Sequence, residues 1–201
     1  MMRILKVGGV TLATLLGAIL LLAGTMWLSP DVRYRVAYYL VEHFDLNSPV
    51  STAELNRQMA ALHRVTLIDA RGKPFDWNKQ PHAIVWINQW ANWCVPCRME
   101  FPSMAALQSR VGKNELRIVL YSNPRDWEKD KRTAKELGLN FELISAKNAS
   151  AADLNAIDLG VMPNSTFARA NGESLMAVRA PRPWDSAQWE AIIRHWYTGG
   201  R

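Results

Sequence analysis

Hydrophobic and polar positions follow two different rhythms along this chain. Residues 7–28 contain no charged side chain, with Arg3 and Lys6 before them and Ser29-Pro30-Asp31 after. As a helix, a stretch of that length spans a hydrocarbon core of about 30 Å. It is longer than the apolar core of a cleaved signal peptide, roughly 7–15 residues, and Ala23-Gly24-Thr25 makes a poor cleavage site. An uncleaved transmembrane anchor over residues 1–30 is therefore expected. Trp27, Tyr34, Tyr38 and Tyr39 suit the outer membrane interface, with the short basic N-terminus left in the cytoplasm. Residues 31–50 read as a juxtamembrane helix or stalk, because Val32, Val36, Tyr39, Leu40 and Phe44 fall near helical spacing before Asn47-Ser48-Pro49.

From residue 51 the pattern alternates between strand and helix periods. Ser51-Thr52-Ala53-Glu54 is a capping box that opens a helix running towards Leu62. Residues 66–68 and 73–75 flank a turn at Gly72, and residues 83–88 form a continuous apolar run of buried-strand type. A helix over 95–110, a strand over 116–122, a helix over 127–137 stopped by Gly138, a strand over 141–145 and a helix over 150–159 follow. Strands 165–169 and 174–179 join through Asn171-Gly172, a hairpin signal. A last helix begins near Asp185-Ser186 and presents Trp189, Ile192, Ile193 and Trp196 as one apolar stripe. This order implies an α/β domain over 51–201, with a mixed central sheet and helices on both faces.

Composition narrows the chemistry. A chain of 201 residues, 49% hydrophobic and 21% charged, builds a folded core. Its net charge of +6 includes a cluster over residues 125–132 that alternates in sign. Such a cluster fits a solvated helix face better than a phosphate-binding stripe, so no nucleic-acid partner is expected. His43, His63, His82 and His195 are scattered without ligand spacing, and the two cysteines are too few for a four-thiolate zinc or iron–sulfur site. No metal is expected.

Both cysteines lie in Trp93-Cys94-Val95-Pro96-Cys97, between the apolar strand and the following helix. A helix N-terminus directs unpaired N–H groups and the positive end of the macrodipole at Cys94, which favours thiolate, the reactive form. Cys97, one turn on, can attack a mixed disulfide and close a Cys94–Cys97 bond. The pair also admits a structural disulfide or a Cu(I) site, and the fold could serve as a redox-inactive docking module. The strand-to-helix position favours redox exchange.

The run Val85-Trp86-Ile87-Asn88-Gln89-Trp90-Ala91-Asn92-Trp93-Cys94-Val95-Pro96-Cys97-Arg98-Met99-Glu100-Phe101-Pro102 resembles the V-x-V-N-F-W-A-x-W-C-x-P-C-x-x-E-x-P signature of thioredoxin-like proteins of the TlpA/ResA type. These are membrane-tethered, extracytoplasmic thiol-disulfide oxidoreductases. The resemblance implies a thioredoxin-like fold, with Cys94 as attacking thiol, Cys97 as resolving thiol, Trp93 and Pro96 as their frame, and Pro102 as a helix-kinking proline. It implies that Glu100, partly buried with a raised pKa, exchanges the proton of Cys97; the buried Asp of thioredoxin itself is replaced here by Asn88, which cannot titrate.

Met162-Pro163 matches the family's cis-proline, which would offer the Met162 backbone to a substrate strand. The match loosens there, with Val161 in place of Gly and one extra residue before Phe167. The Val95-Pro96 dipeptide lacks the His of strong oxidants in the superfamily, which points to a reductase. No cofactor beyond the Cys94–Cys97 disulfide is implied. The implied partners are exported cysteine proteins, such as apocytochrome c or copper-site proteins, and a membrane dithiol donor at the inner membrane, with the catalytic domain in the periplasm.

Overall fold

Ser51 starts the first helix by capping it on both sides. Its hydroxyl accepts the Glu54 N–H at 3.2 Å, and the Glu54 carboxylate accepts the Ser51 N–H at 3.0 Å. In a computed structural model, the chain is described at residues 50–200 and at Lys6, Val7, Val10, Thr11, Gly17, Leu21 and Gly24. It divides into two units between Leu46 and Asn47. In the first, strand β1 (Lys6–Val7) pairs antiparallel with β2 (Val10–Thr11). Helix was expected from Val7 onward; the β-branched Val7, Val10 and Thr11 instead take the strand geometry such side chains favour. Of the rest of the expected anchor only Gly17, Leu21 and Gly24 are described, and they are helical; residues 31–49 of the expected juxtamembrane stalk lie outside the described residues. Among the described residues, no helix is long and apolar enough to cross a membrane.

The second unit runs α1 (Thr52–Arg64), β3 (Thr66–Asp69), β4 (Ile84–Trp90), α2 (Val95–Val111), β5 (Leu116–Ser122), α3 (Trp127–Glu136), β6 (Glu142–Lys147), α4 (Ala151–Ile157), β7 (Asn164–Arg169), β8 (Ser174–Arg179) and α5 (Ala187–Tyr197). Six strands form one sheet in the order β3-β6-β5-β4-β7-β8. The pairs β4–β5 and β5–β6 are parallel, and the outer pairs β3–β6, β4–β7 and β7–β8 are antiparallel. The sheet is mixed, as expected. Residues 73–75 fall short of a strand. They contribute only a bridge from Pro74 to Ile68, closed by the Asp69 N–H on the Lys73 carbonyl and the Phe75 N–H on the Leu67 carbonyl, both at 2.8 Å.

Strand β4 is buried along its whole length, so its alternation sorts two cores. Ile84, Trp86 and Trp90 face α2, α3 and α5, together with Phe101, Leu107, Ala134, Ile193 and Trp196. Val85 and Ile87 face α1 and α4, together with Leu62, Ile144 and Ile157. Helices therefore cover both faces. The first core is aromatic: the Trp86 ring lies 4.5 Å from Trp184 and 5.0 Å from Phe167, centre to centre, and Trp184 lies 4.6 Å from Trp189. Edge-to-face and tilted pairs of this kind add to the burial of the rings. Arg117 on β5 is the exception to an apolar strand. It is buried and forms two hydrogen bonds to Glu142, at 3.0 and 2.8 Å, while its guanidinium lies 4.3 Å from the Phe75 ring centre.

Candidate active site

Where β4 ends, the chain turns once and enters α2. The Cys94 N–H donates to the Ala91 carbonyl at 2.9 Å and closes that turn. Cys94 is the N-cap of α2, and its sulfur accepts the Cys97 N–H at 3.3 Å, in the position a serine or aspartate oxygen usually fills. Pro96 sits in the first turn of the helix, where a missing N–H costs nothing. Cys94 and Cys97 are joined as a disulfide with Cα atoms 5.4 Å apart. Cys94 is 3% exposed and Cys97 not at all, so a partner reaches the bond at Cys94 alone. On either side of Cys94 in the chain, Trp93 is 61% exposed and Val95 is open to solvent, as is Val161 next to Met162. The Trp93 indole N–H donates to Asp126 at 3.4 Å.

The second wall comes from β7. Antiparallel register sets Gln89 against Asn164, so Pro163 comes level with Trp90, beside the turn that leads to Cys94. The Met162–Pro163 bond is cis. The extra residue before Phe167 leaves β7 in unbroken register with β4; the irregularity falls between Phe167 and Ala168 against β8. Behind this wall runs a line of buried amides. Asn164 donates to the Gln89 side chain at 3.1 Å, Gln89 donates to the Ile157 carbonyl at 3.2 Å, and Gln58 donates to that carbonyl at 2.9 Å while accepting from Thr166 at 2.7 Å. The Gln89 backbone carbonyl faces the other way, 3.9 Å from the Cys97 sulfur.

Glu100 follows Cys97 by one turn on the buried side of α2. It is 1% exposed, deeper than the partial burial expected. One carboxyl oxygen accepts the Trp184 indole N–H at 2.6 Å and the Arg182 backbone N–H at 3.0 Å. The other oxygen has no hydrogen bond among the described residues, and neither has the carbonyl oxygen of Asn88, whose side chain lies beside the carboxyl. Desolvation by burial pushes the Glu100 carboxyl up to about 8, against the pull of the Trp184 and Arg182 hydrogen bonds and of the neighbouring Asn88 side chain. A proton on the free oxygen satisfies both orphaned acceptors, since a protonated carboxyl is a donor. Pro102 lies inside α2, which continues through it to Val111.

Three contacts are not readable from the sequence. Arg182 and Trp184 reach Glu100 across more than 80 residues, with no local pattern to mark them. Asp130 belongs to the charge cluster assigned to a solvated face, yet it is fully buried. Its carboxylate accepts from Asn92, and burial raises its pKa. The signal that could have marked Asp130 is its place four residues before the buried Ala134, on the inward side of α3.

With this geometry in view, residues 57–172, more than half of the chain, match the AhpC/TSA family. The chain belongs to the AhpC/TSA family. Among curated relatives, this AhpC/TSA chain is 34% identical over 89 residues to the thiol-disulfide oxidoreductase ResA of Oceanobacillus iheyensis, covering 44% of this chain and 45% of that protein. It is 28% identical over 111 residues to ResA of Geobacillus kaustophilus, covering 55% and 57%. It spans about half the length of these relatives. Among solved structures, the thioredoxin domain of a thiol-disulfide oxidoreductase from Bacteroides vulgatus superposes with a TM-score of 0.53 at 15% identity, over 66% of this chain and 95% of that one. A thiol:disulfide interchange protein of the thioredoxin family from Chlorobium tepidum superposes with a TM-score of 0.51 at 24% identity, over 65% and 90%. At these identities the likeness establishes the fold, which is thioredoxin-like, in agreement with the resemblance in the Cys94–Cys97 signature.

Proposed function

We propose that this chain is a thiol-disulfide oxidoreductase that reduces disulfides in exported proteins from the outer face of the plasma membrane. The observation that carries the reading is the Cys94–Cys97 disulfide at the mouth of α2, where Cys94 keeps a trace of exposure and Cys97 none. In the reduced chain the Cys94 thiolate attacks one sulfur of a substrate disulfide, forms a mixed disulfide and expels the other sulfur as a thiolate, which takes a proton from solvent. Cys97 gives its proton to Glu100 and attacks the Cys94 sulfur. The second substrate thiolate leaves, the Cys94–Cys97 bond closes, and two electrons have passed to the substrate. A membrane dithiol donor reverses the process, and Glu100 then returns the proton to the Cys97 thiolate. A carboxyl pushed up to about 8 is suited to both directions near neutral pH.

The exposed Trp93 and Val95 offer apolar surface on either side of the reactive Cys94, and in this reading the Met162 backbone supplies a strand edge for the substrate segment. Membrane tethering rests on residues 12–28, which remain uncharged beyond β2 and number 17, the short end of the range for a spanning helix. The test is a Cys97→Ala chain expressed in its own cell envelope. Mixed disulfides on Cys94 should accumulate with exported cysteine proteins and with a membrane dithiol protein. An alkylatable Cys94 that captures nothing refutes exchange; Cu(I) held by the intact pair without disulfide reduction would indicate copper delivery instead.

A further inference from the structure

The turn that delivers Cys94 to α2 has an unmet need. In a four-residue turn closed between Cys94 and Ala91, the N–H of the second residue, Asn92, has no acceptor inside the turn. Asp130 supplies it. One oxygen of its carboxylate accepts the Asn92 backbone N–H at 2.6 Å and the Asn92 side-chain amide at 2.8 Å. The Ser122 hydroxyl at the end of β5 lies beside the same carboxyl, whose second oxygen has no hydrogen bond among the described residues. A carboxyl with no exposure and no cationic partner among its hydrogen bonds weakens the fold where it sits. An apolar residue in that place would pack as well and leave Asn92 without an acceptor.

We propose that Asp130 is a positioning residue for the dithiol: by holding both donors of Asn92 it fixes the turn that seats Cys94 at the helix mouth, and so sets the reactivity of Cys94 without touching it or any substrate. The proposal deepens the thiol-exchange reading and rests on it for its functional meaning. Seating matters because the stabilisation of a thiolate by helix N–H groups falls away within the first turn, and small displacements of a reacting group are costly in rate.

The experiment compares Asp130→Asn with Asp130→Ala in the full chain. Both remove the charge, but the asparagine keeps an acceptor oxygen for Asn92, so a difference between them reports the hydrogen bonds together with the lost volume, and an Ala134→Gly control reports the loosening of α3 by itself. In a Cys97→Ala background, the rate of Cys94 alkylation by iodoacetamide is followed from pH 5 to 9; with Cys97 present, reduction of insulin disulfides is followed. At pH 7, Asp130→Ala should react about tenfold more slowly than Asp130→Asn, its titration curve moved up by about one pH unit, with a parallel loss in insulin reduction. Ala134→Gly loosens α3 without touching Asn92, and should lower the melting temperature while leaving the alkylation curve in place. Equal alkylation curves for the two Asp130 variants overturn the proposal. If Asp130→Ala fails to fold, Asn92→Ala removes only the side-chain bond: slowed alkylation supports the clamp, and an unchanged curve overturns it. If the parent chain reduces no insulin, thiol exchange falls, and the alkylation curves still decide whether Asp130 seats Cys94.

Discussion

Glu100→Gln tests the buried carboxyl as a thermodynamic object. In the folded chain the group is pushed from the ordinary 4.5 up to about 8, chiefly because burial disfavours its charged form. Below pH 4.5 the folded and unfolded chains both hold the proton, and the site makes no difference to stability. Between 4.5 and about 8 the unfolded chain releases the proton while the folded chain keeps it, so stability falls as pH rises, by about 1.4 kcal/mol per pH unit. Above about 8 the loss levels off, at an accumulated value on the order of 5 kcal/mol. Glutamine removes this dependence and fits the site. Its carbonyl can accept from Trp184 and Arg182 as the carboxyl oxygen does, and its amide can donate to the Asn88 carbonyl oxygen that has no partner now. Urea unfolding of the oxidised full chain from pH 5 to 9 is the assay. Wild type and Glu100→Gln should be close at pH 5 and separate by several kcal/mol at pH 9, with the variant the more stable. Parallel loss of stability in the two proteins across that interval would refute the assignment of a raised carboxyl to Glu100. Disulfide exchange should move in the opposite sense, with the variant slower near neutral pH because the proton of Cys97 has lost its acceptor.

Two further outcomes follow from neighbouring contacts. Trp184→Phe removes the 2.6 Å donor to Glu100; it should push the carboxyl higher still and lower stability by about 1.5–3 kcal/mol at pH 9, where the lost bond is to a charged group, and by less at pH 5. Urea titrations at the two pH values check it, and equal losses at both would contradict it. Arg117→Met removes the paired hydrogen bonds to Glu142 and the bond to the Asp76 carbonyl. The expected cost is about 2–4 kcal/mol, since Glu142 is partly exposed and relaxes into water better than a buried partner does; an unchanged urea midpoint would exclude a structural role for the pair.

The sequence displays those parts of the fold that depend on neighbours along the chain. The continuous apolar run of β4, the Ser51–Glu54 capping box, the Asn171-Gly172 turn and the apolar stripe of α5 each carry their own physical signal, and each element stands where expected to within a few residues. Cys94 and Cys97 come together in a strand-to-helix turn, and the antiparallel register of β7 sets Pro163 level with Trp90 just before it. Illegible were the contacts that satisfy buried polar groups at long range. The depth of Glu100 depends on a loop more than 80 residues away, and the inward face of α3 conceals Asp130 among alternating charges. A charge pattern reports the average face of a helix, whereas burial of one carboxylate depends on a single acceptor-hungry turn packed against it.

Gln89 ties β4 to the dithiol on one side and to β7 on the other. Its carbonyl stands against the Cys97 sulfur, and its side chain tethers Asn164, the residue directly after Pro163. Parting β4 from β7 would leave these buried amides without partners, so the register that sets Pro163 level with Trp90 is pinned by side chains as well as by the backbone ladder.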